Sequence, residues 1–484
     1  MIQVLLCDPS FQYDVHALVK AFYPAEDVCL VDPREEAELE NSIGCILVDE
    51  TEDLIHCRFV AHDGIYARCA KTNGLERKDV KAELKRILYD LLSEVSGREL
   101  PWGTLTGIRP TKLAMSALLE GRSGEEIIRM MQDFYLVSAP KADLAYRIAK
   151  LEHRILEPLH PSDGFSLYVG IPFCPTTCMY CSFTSYPIGK YEGMVDTYLS
   201  LLEQEMEQVS QVFAGRILDT VYIGGGTPTT LSPDQMRRLN EALRKHFDFQ
   251  NVVEYTMEAG RPDSITKEKL LAMKEIGIDR LSVNPQTMHD ETLRVIGRRH
   301  TVAQTVEAFQ LAREAGFCNI NTDLILGLPG EDERMVAETF EKIRELSPDS
   351  LTVHSMAIKR AAAMHAFLDD HPEFQSQNTP EMMEIGMRCA SDMQMQPYYL
   401  YRQKNMAGNF ENVGYAKEGK YGLYNILIME EVQSVAAIGA GVISKTVHED
   451  GLIERCANVK DVSLYLSAFD QVLQKKRMFY DRGI

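Results

Sequence analysis

The sequence predicts an α/β protein built on a partial (β/α)6 barrel, with an N-terminal α/β domain before it and a C-terminal α+β extension after it. From residue 165 onward, six apolar strand-like segments alternate with helical patterns at intervals of about 30 residues. Such steps are typical of parallel strands joined by right-handed crossovers. The segments are almost continuously apolar, as in a sheet that is buried on both faces. Six units are too few to close an eight-fold barrel, so we predict an open one.

The predicted strands are followed by signals for helices. The strands are expected at 165–171, 220–224, 252–258, 280–284, 319–326 and 350–356. Ser232 with Gln235, and Thr301 with Gln304, have the spacing of a capping box, and Thr266 is a further N-cap candidate. These residues predict where three of the crossover helices begin.

Four domains are expected along the chain. They are an N-terminal α/β domain over 1–98, a helical connector over 99–160, the barrel over 161–360 and a C-terminal, substrate-covering domain over 361–484. The first domain has four short apolar runs that predict strands, and Asp79 to Glu94 has the apolar spacing of an amphipathic helix. The start of the connector, ELPWGTLTGIRPTK, contains glycines and prolines that predict a loop.

The composition limits the partners that the chain can have. It carries 71 acidic and 51 basic side chains, a formal net charge of −20, which argues against nucleic acid held by bulk electrostatics. No apolar run is as long as a membrane span, and the start of the chain lacks the basic region of a signal peptide. All but three of the 11 cysteines are scattered, as expected of free thiols in a reducing cytosol. We predict a cytoplasmic protein that binds neither nucleic acid nor membranes.

Three cysteines form the most specific motif of the chain. Cys174, Cys178 and Cys181 have the spacing C-x3-C-x2-C in the loop after the first barrel strand. Three thiolates on one loop can bind three irons of a [4Fe–4S] cluster and leave the fourth iron open to a small molecule. A disulfide framework would need an even number of cysteines and an oxidising compartment, and structural zinc normally needs a fourth ligand. Three core cysteines at this spacing would be a coincidence, so we favour the cluster.

Polar residues collect where the predicted strands end, which is where parallel β/α sheets bind ligands. GGGTPT (224–229) ends the second strand, Glu258 ends the third, Gln286 and Arg298 follow the fourth, and Asp323 lies in the fifth. Glycines there let a ligand approach the backbone, although a turn would need them too. A carboxylate inside an apolar strand needs a partner, which for Asp323 is either a ligand or a structural ion pair. We predict one shared site.

This set of groups suits a molecule with an amine, a carboxylate and hydroxyls. Glu258 matches the amine, Arg298 the carboxylate and Asp323 the hydroxyls. S-adenosylmethionine (SAM) carries all three, and its amine and carboxylate can chelate the open iron. One electron from the reduced cluster can then split the sulfonium and release a 5'-deoxyadenosyl radical.

Four stretches carry a resemblance to a known family. They are LYVGIPF before the C-x3-C-x-Y-C motif, GGGTPT, WGTLTGIRPTK and VHSMAIKRAA. The first two resemble the radical SAM superfamily and, within it, the oxygen-independent coproporphyrinogen III oxidase family. The other two are similar to the HemZ-type branch of that family. The family resemblance covers about 165–445, and the branch resemblance covers nearly the whole chain.

The resemblance implies roles for individual residues. The three cysteines would bind a [4Fe–4S] cluster, and Tyr168 and Glu258 would act in catalysis beside the SAM sulfonium and amine. The residues that match the SAM contacts of the family are Tyr168, Tyr180, Gly225, Gly226, Glu258, Gln286, Arg298, Asp323, Ile325 and Ala357. One position departs from the pattern, because the family has histidine where this chain has Gly170.

The resemblance also implies a reaction. The family converts coproporphyrinogen III to protoporphyrinogen IX by oxidative decarboxylation of two propionates through the 5'-deoxyadenosyl radical, with one or two SAM molecules and an electron donor such as flavodoxin or ferredoxin. Cationic candidates for the carboxylates of this tetrapyrrole are Arg109, Lys112, Lys359, Arg360, Arg402 and Lys404. The alternatives are radical methylation or ring opening of haem, a haem-binding chaperone without turnover and, against the acidic charge, a tRNA-modifying enzyme.

Overall fold

The computed structural model describes residues 1–24, 26–31, 43–51, 53–107, 109–357, 363–371, 374, 377–403 and 410–483. The chain divides into two compact units. The first consists of Met1–Lys150 with Tyr401–Glu411, and the second consists of Leu151–Leu400 with Asn412–Ile484. The four-domain division stays a prediction. Among the described residues, no helix is long and apolar enough to cross a membrane.

The first unit contains a five-stranded sheet in the order β2-β1-β3-β4-β5. Its strands are β1 (Ile2–Leu6), β2 (Val28–Val31), β3 (Gly44–Glu50), β4 (Leu54–Ala61) and β5 (Gly64–Lys71). Strand β1 is parallel to both neighbours, and β3, β4 and β5 are antiparallel. The helices are α1 (Gln12–Phe22), α2 (Arg77–Ser96), α3 (Thr111–Leu119), α4 (Gly124–Tyr135) and the first part of α5 (Ala139–Leu156). The N-terminal α/β prediction is confirmed, although β5 and α1 were not predicted.

The second unit contains the predicted barrel strands in parallel register. They are β6 (Gly164–Ile171), β9 (Ile217–Gly225), β10 (Glu254–Glu258), β11 (Arg280–Ser282), β12 (Ile320–Leu326) and β13 (Ser350–Ser355); the short pair β7 (Phe173–Cys174) and β8 (Tyr186–Pro187) frames the cysteine loop. The helices between them are α6 (Val195–Val212), α7 (Pro233–His246), α8 (Lys267–Glu275), α9 (Asp290–Val295), α10 (Val302–Glu314) and α11 (Glu333–Leu346). The α/β class and the partial barrel are confirmed, and so are the capping boxes at Ser232 and Thr301.

The C-terminal part of the chain extends the same sheet at both edges. Its elements are α12 (Ala363–Asp370), α13 (Pro380–Asp392), β14 (Gln396–Tyr401), β15 (Asn412–Ala416), α14 (Leu423–Glu430), β16 (Ser434–Ile438), β17 (Ile443–Val447), β18 (Ile453–Ala457), α15 (Val462–Ser467) and α16 (Phe469–Tyr480). Strand β15 is antiparallel to β13, whereas β16 is parallel to β6 and adds a seventh parallel strand. The sequence did not predict β16, because it lies in a long apolar segment whose periodicity does not separate strand from helix.

A buried ion pair joins α6 and α16 to the end of β16. Glu205 and Lys476 both have side chains that are 0% exposed, and they contact each other directly. Lys476 contacts Glu205 Oε1, which also accepts from Asn458 Nδ2 at 2.7 Å. Glu205 Oε2 accepts from the Tyr465 hydroxyl at 2.6 Å and from the Gly439 amide at 2.9 Å. The carboxylate is therefore fully hydrogen-bonded, as a buried charge must be.

Candidate active site

The three cysteines lie beyond the carboxyl end of β6: Cys174 ends β7, and Cys178 and Cys181 lie on the loop between β7 and β8. Cys174 is 8% exposed and its Sγ lies 3.5 Å from the Thr227 hydroxyl, Cys178 is 9% exposed, and Cys181 is half-buried. The Met179 amide donates to the backbone of the α9 end at 3.0 Å. The loop is thus packed against the segment that precedes Arg298.

The cysteine thiols, as the structure describes them, do not form a site for a single metal ion. In the parts of the chain that the structure describes, no three His, Cys, Asp or Glu side chains converge closely enough to hold one metal ion. A four-iron cluster does not need that convergence, because each cysteine binds a different iron. Burial raises the pKa of Cys174 to about 11 and also raises the pKa of Cys181. Both stay protonated as free thiols at neutral pH, so their thiolate form depends on metal binding.

Two buried guanidinium groups lie beside Cys178. Arg261 is 2% exposed, and its Nη1 donates to the Thr176 carbonyl at 2.8 Å and lies 3.8 Å from Cys178 Sγ. Arg298 is 6% exposed, donates to the Tyr180 hydroxyl at 3.2 Å and also interacts with Cys178. These guanidinium groups place positive charge beside the cysteine loop: Arg261 partly offsets the effect of burial on the pKa of Cys174, and Arg298 does the same for Cys181.

Three tyrosine rings stack next to Glu258. Tyr168 on β6 and Tyr222 on β9 are paired in the sheet, with ring centroids 5.8 Å apart, and Tyr424 on α14 stacks on Tyr222 at 4.6 Å. The Tyr222 hydroxyl donates to Glu258 Oε1 at 2.6 Å. The Glu254 carboxylate accepts backbone amides at the start of α14 and so holds that helix in place. The Tyr222 hydroxyl thus holds the Glu258 carboxylate at the end of β10.

Two carboxylates of the site have pKa values shifted in opposite directions. The pKa of Glu258 is raised to about 7, mainly by burial and also by the nearby Asp323, after the Tyr222 hydroxyl and the Gly225 amide have partly offset the rise. Burial alone would raise the pKa of Asp323 too, but hydrogen bonds from His354 and Asn321 hold it below its usual value. At neutral pH Asp323 is ionised, whereas Glu258 is poised between its two forms, which is typical of functional carboxylates.

We expect Glu258→Gln to stabilise the ligand-free protein at pH 8 and to weaken SAM binding at least tenfold. Folding raises the pKa of this carboxyl from 4.5 to about 7, so ionising Glu258 opposes folding by roughly 3 kcal/mol above pH 7. That destabilisation grows as the pH rises from about 4.5 to 7 and is absent in the variant. Urea unfolding at pH 5 and pH 8 measures this destabilisation, and equilibrium dialysis measures the affinity for SAM. A stability difference between variant and wild type that is the same at pH 5 and pH 8 would contradict the raised pKa of Glu258.

Asp323 and Gln286 lie side by side across the strand ends. The Gln286 amide donates to the Asp323 carbonyl at 3.1 Å, and the Gln286 carbonyl accepts from the Ile325 amide at 3.0 Å. The Asp323 carboxylate accepts from Asn321 Nδ2 at 2.7 Å and lies 3.8 Å from His354 Nε2. Asp323 therefore has structural partners and also lies in the site. A structural ion pair and a ligand contact both explain a carboxylate at this position.

Gln286 is strained and has an unsatisfied side chain. Its φ of 71° is in the left-handed region, and the residue is only 7% exposed. Its Oε1 is buried and, among the described residues, makes no hydrogen bond. Left-handed backbone in a non-glycine residue and an unpaired buried acceptor each destabilise a fold by about 1 kcal/mol or more. Together they support a ligand contact at this position.

We expect Gln286→Gly to separate binding from stability. Glycine keeps the left-handed backbone without strain, so the free energy of unfolding should stay within about 1 kcal/mol of wild type. The loss of Oε1 should raise the dissociation constant for SAM about tenfold. Gln286→Ala is the matched variant: it should lose the same affinity and be about 1 kcal/mol less stable than Gln286→Gly, because alanine keeps the backbone strain that glycine relieves. Unchanged SAM affinity in both variants would contradict the ligand contact.

Backbone geometry and packing explain why Gly225 and Gly226 are glycines. Gly225 has a φ of 109°, which L side chains rarely adopt. A Cβ on Gly226 would lie 2.5 Å from the Phe173 carbonyl oxygen, and the Gly226 amide donates to the Ile171 carbonyl at 2.7 Å. These contacts hold the end of β9 against the start of the cysteine loop, and a SAM contact by either glycine stays a prediction.

The remaining SAM candidates reach the site to different degrees. Tyr180 is half-buried against Arg298, and Ile325 is 7% exposed beside Gln286. Ala357 follows β13 and is half-buried. The structure thus brings together Tyr168, Tyr180, Glu258, Gln286, Arg298, Asp323, Ile325 and the three cysteines.

The cationic candidates for substrate carboxylates have different surroundings. In the first unit, Arg109 is half-buried and Lys112 is exposed at the start of α3. Arg402 is 5% exposed, donates to the Leu105 carbonyl and lies 6.0 Å from the Trp102 ring, so its guanidinium takes part in packing. Lys359, Arg360 and Lys404 lie outside the described residues.

Sequence reasoning missed several residues of the site. Arg261 follows Glu258 by three residues, and its place at a strand end was a usable signal. Tyr222 was also recoverable, because it alternates with Gly224 along β9 and pairs with Tyr168. Tyr424 gave no local signal, since it comes from a distant helix.

Comparison with known proteins identifies the family. A family model described as the Radical SAM superfamily matches residues 168–343. A Bacillus subtilis (strain 168) protein named oxygen-independent coproporphyrinogen-III oxidase-like protein HemZ is 40% identical over 410 residues, which are 84% of this chain and 82% of the relative. This chain belongs to the HemZ-type branch of the radical SAM superfamily. The family predicted from the sequence is confirmed.

Two further known proteins are similar to part of the HemZ-type chain. The heme chaperone HemW of Bacillus subtilis (strain 168) is 36% identical over 249 residues, which are 50% of this chain and 63% of HemW. The structure of coproporphyrinogen III oxidase (HemN) from Escherichia coli has a TM-score of 0.52 and 24% identity, and the match covers 65% of this chain and 71% of HemN. That structure confirms the fold.

Membership in the radical SAM superfamily implies a [4Fe–4S] cluster and SAM for the HemZ-type chain. The residues present fit both groups. The cysteine loop supplies three thiols next to two guanidinium groups. Gln286, whose side-chain oxygen is unsatisfied, is hydrogen-bonded to the backbone of Asp323, and the charges of Asp323 and Glu258 interact. These are the donors and acceptors that a molecule with an amine, a carboxylate and hydroxyls requires.

Packing explains why the HemZ-type chain departs from the family at Gly170. A Cβ at this position would lie 2.5 Å from Cγ1 of Val442, which comes from the turn before β17. Tyr198 further fixes the backbone here, since its hydroxyl donates to the Gly170 carbonyl at 2.7 Å and accepts from the Ala440 amide at 2.9 Å. The Val442 side chain occupies the space that the family's histidine would need.

Proposed function

We propose that this HemZ-type protein is a cytoplasmic oxidoreductase of haem biosynthesis that oxidatively decarboxylates two propionates of coproporphyrinogen III to give protoporphyrinogen IX. One observation supports the proposal above the others. The chain is 40% identical, over 84% of its length, to a coproporphyrinogen-III oxidase-like protein, and that length includes the strand-end site. The buried carboxylates and guanidinium groups of the site suit a radical initiator.

The proposed roles of the residues follow from their contacts. When bound, the cluster and one or two SAM molecules supply a 5'-deoxyadenosyl radical. Glu258, held by the Tyr222 hydroxyl at 2.6 Å, binds the SAM amine, and Asp323 binds the ribose hydroxyls. Arg298 binds the carboxylate, and Tyr168 lies near the sulfonium. Flavodoxin or ferredoxin supplies the electron.

An anaerobic assay tests the proposal. The reconstituted protein is incubated with SAM, reductant and coproporphyrinogen III, and the porphyrinogen products are analysed by mass. We expect each substrate to lose two CO2 and four hydrogen atoms, because each propionate becomes a vinyl group, together with the formation of 5'-deoxyadenosine. Glu258→Gln is the control and should form neither product. If deoxyadenosine forms while the mass of the porphyrinogen stays unchanged, the substrate assignment is wrong.

A second candidate function is haem binding and delivery without turnover. It is favoured by the 36% identity to the heme chaperone HemW over 249 residues. Stoichiometric haem binding without conversion of coproporphyrinogen would support this candidate. Product mass also separates radical methylation of haem, which adds carbon, from decarboxylation, which removes it.

A further inference from the structure

We propose that Arg261 and Asp263 together set the reduction potential of the cluster, with Arg261 favouring the reduced state and Asp263 opposing it. The inference rests on the cluster that is part of the proposed function, and it is independent of the tetrapyrrole substrate. Neither residue belongs to the set expected to contact SAM.

The Arg261 guanidinium is fixed between a carboxylate and the cysteine loop. Its Nε and Nη2 donate to the two Asp263 oxygens at 3.1 and 2.9 Å. Its Nη2 and Nη1 donate to the Thr176 hydroxyl and carbonyl at 3.0 and 2.8 Å. The same Nη1 lies 3.8 Å from Cys178 Sγ. A side chain held by this many contacts keeps one geometry, so its charge acts from a fixed position.

Burial makes this charge effective at the cluster. The side chains of Arg261 and Asp263 are only 2% and 15% exposed, so solvent screens the pair weakly. The guanidinium contacts the Cys178 sulfur, while the Asp263 carboxylate contacts the guanidinium. The positive charge is therefore nearer to the cluster than the negative one, and its effect dominates.

Reduction of the cluster adds one electron and no proton, so it adds one negative charge. A nearby positive charge and an N–H group directed at a ligand sulfur both stabilise the reduced state. Removal of Arg261 should therefore make the cluster harder to reduce. Removal of the Asp263 charge should make it easier to reduce, because the guanidinium then acts unopposed. The two substitutions have opposite expected signs.

A redox titration of the reconstituted full chain tests the inference. The cluster signal is followed by EPR, without SAM, in wild type, Arg261→Gln and Asp263→Asn. We expect Arg261→Gln to lower the equilibrium constant for one-electron reduction about tenfold, a potential about 59 mV more negative. We expect Asp263→Asn to raise the constant several-fold. Arg313→Gln is the matched control, since Arg313 pairs with Asp349 at 2.7 Å before β13, at the amino end of the strands.

The possible results separate the explanations. Shifts of the same sign in both variants would indicate distortion of the loop and would overturn the inference, as would two unchanged potentials. If Arg261→Gln takes up no cluster, Asp263→Asn decides alone, and only a positive shift supports the inference. A wild type without a cluster would overturn the cofactor assignment as well. An intact cluster with these shifts but no decarboxylation would overturn only the proposed substrate.

Discussion

Replacement of Cys178 by alanine is expected to abolish the cluster and, with it, reductive cleavage of SAM. Cys178 is buried next to the guanidinium groups of Arg261 and Arg298, so the variant loses one of three ligands and leaves two buried cations without the thiolate that they face. We expect iron and sulfide contents after anaerobic reconstitution to fall to about a tenth of wild type or less, and 5'-deoxyadenosine formation to fall to background.

A matched cysteine provides the control for this experiment. Cys318 is exposed and precedes β12, at the opposite end of the strands from the cysteine loop. Cys318→Ala should keep the iron content and the deoxyadenosine yield of wild type. Wild-type iron content in Cys178→Ala would contradict the assignment of the cluster ligands.

Lys476→Met is expected to destabilise the fold by about 3–5 kcal/mol. The substitution leaves the Glu205 carboxylate buried at 0% exposure without its cationic partner. Three donors from Tyr465, Asn458 and Gly439 remain, but they do not neutralise the charge. Urea unfolding followed by circular dichroism measures the effect.

Two further variants check the cause of that loss. Lys476→Met combined with Glu205→Gln removes the uncompensated charge and should recover part of the stability of the single variant. Arg237→Met breaks an ion pair with Glu275 in which both side chains are exposed, and it should lose less than about 1 kcal/mol. Equal losses in Lys476→Met and Arg237→Met would contradict the importance of burial.

Local patterns were sufficient to predict the barrel and the cysteine motif. Strands such as β6 and β12 are continuous apolar runs, and their direction follows from the helices between them. The spacing of Cys174, Cys178 and Cys181 is itself a constraint on the chemistry, because it places three thiols on one short loop. Glu258, Gln286 and Asp323 were predictable as a group, because parallel strands end at the same edge of the sheet.

The parts that sequence could not predict depend on contacts between distant segments. Strand β16 joins β6 from more than 250 residues away, and α14 brings Tyr424 onto Tyr222. The departure at Gly170 was visible in the sequence, but its cause, the Val442 side chain, was not. The strain at Gln286 is a property of the folded backbone and leaves no trace in the pattern of residues. The contacts of Arg261 with Thr176 and Cys178 likewise depend on the fold.

The most direct test of the account is an anaerobic crystal structure of the reconstituted protein with SAM, recorded with anomalous scattering at the iron edge. We expect an iron peak bounded by the sulfurs of Cys174, Cys178 and Cys181, with the SAM amine at Glu258 and a donor group of SAM on Gln286 Oε1. An iron peak elsewhere, or SAM bound away from the carboxyl ends of the strands, would contradict the central claim that these strand ends form the radical-generating site.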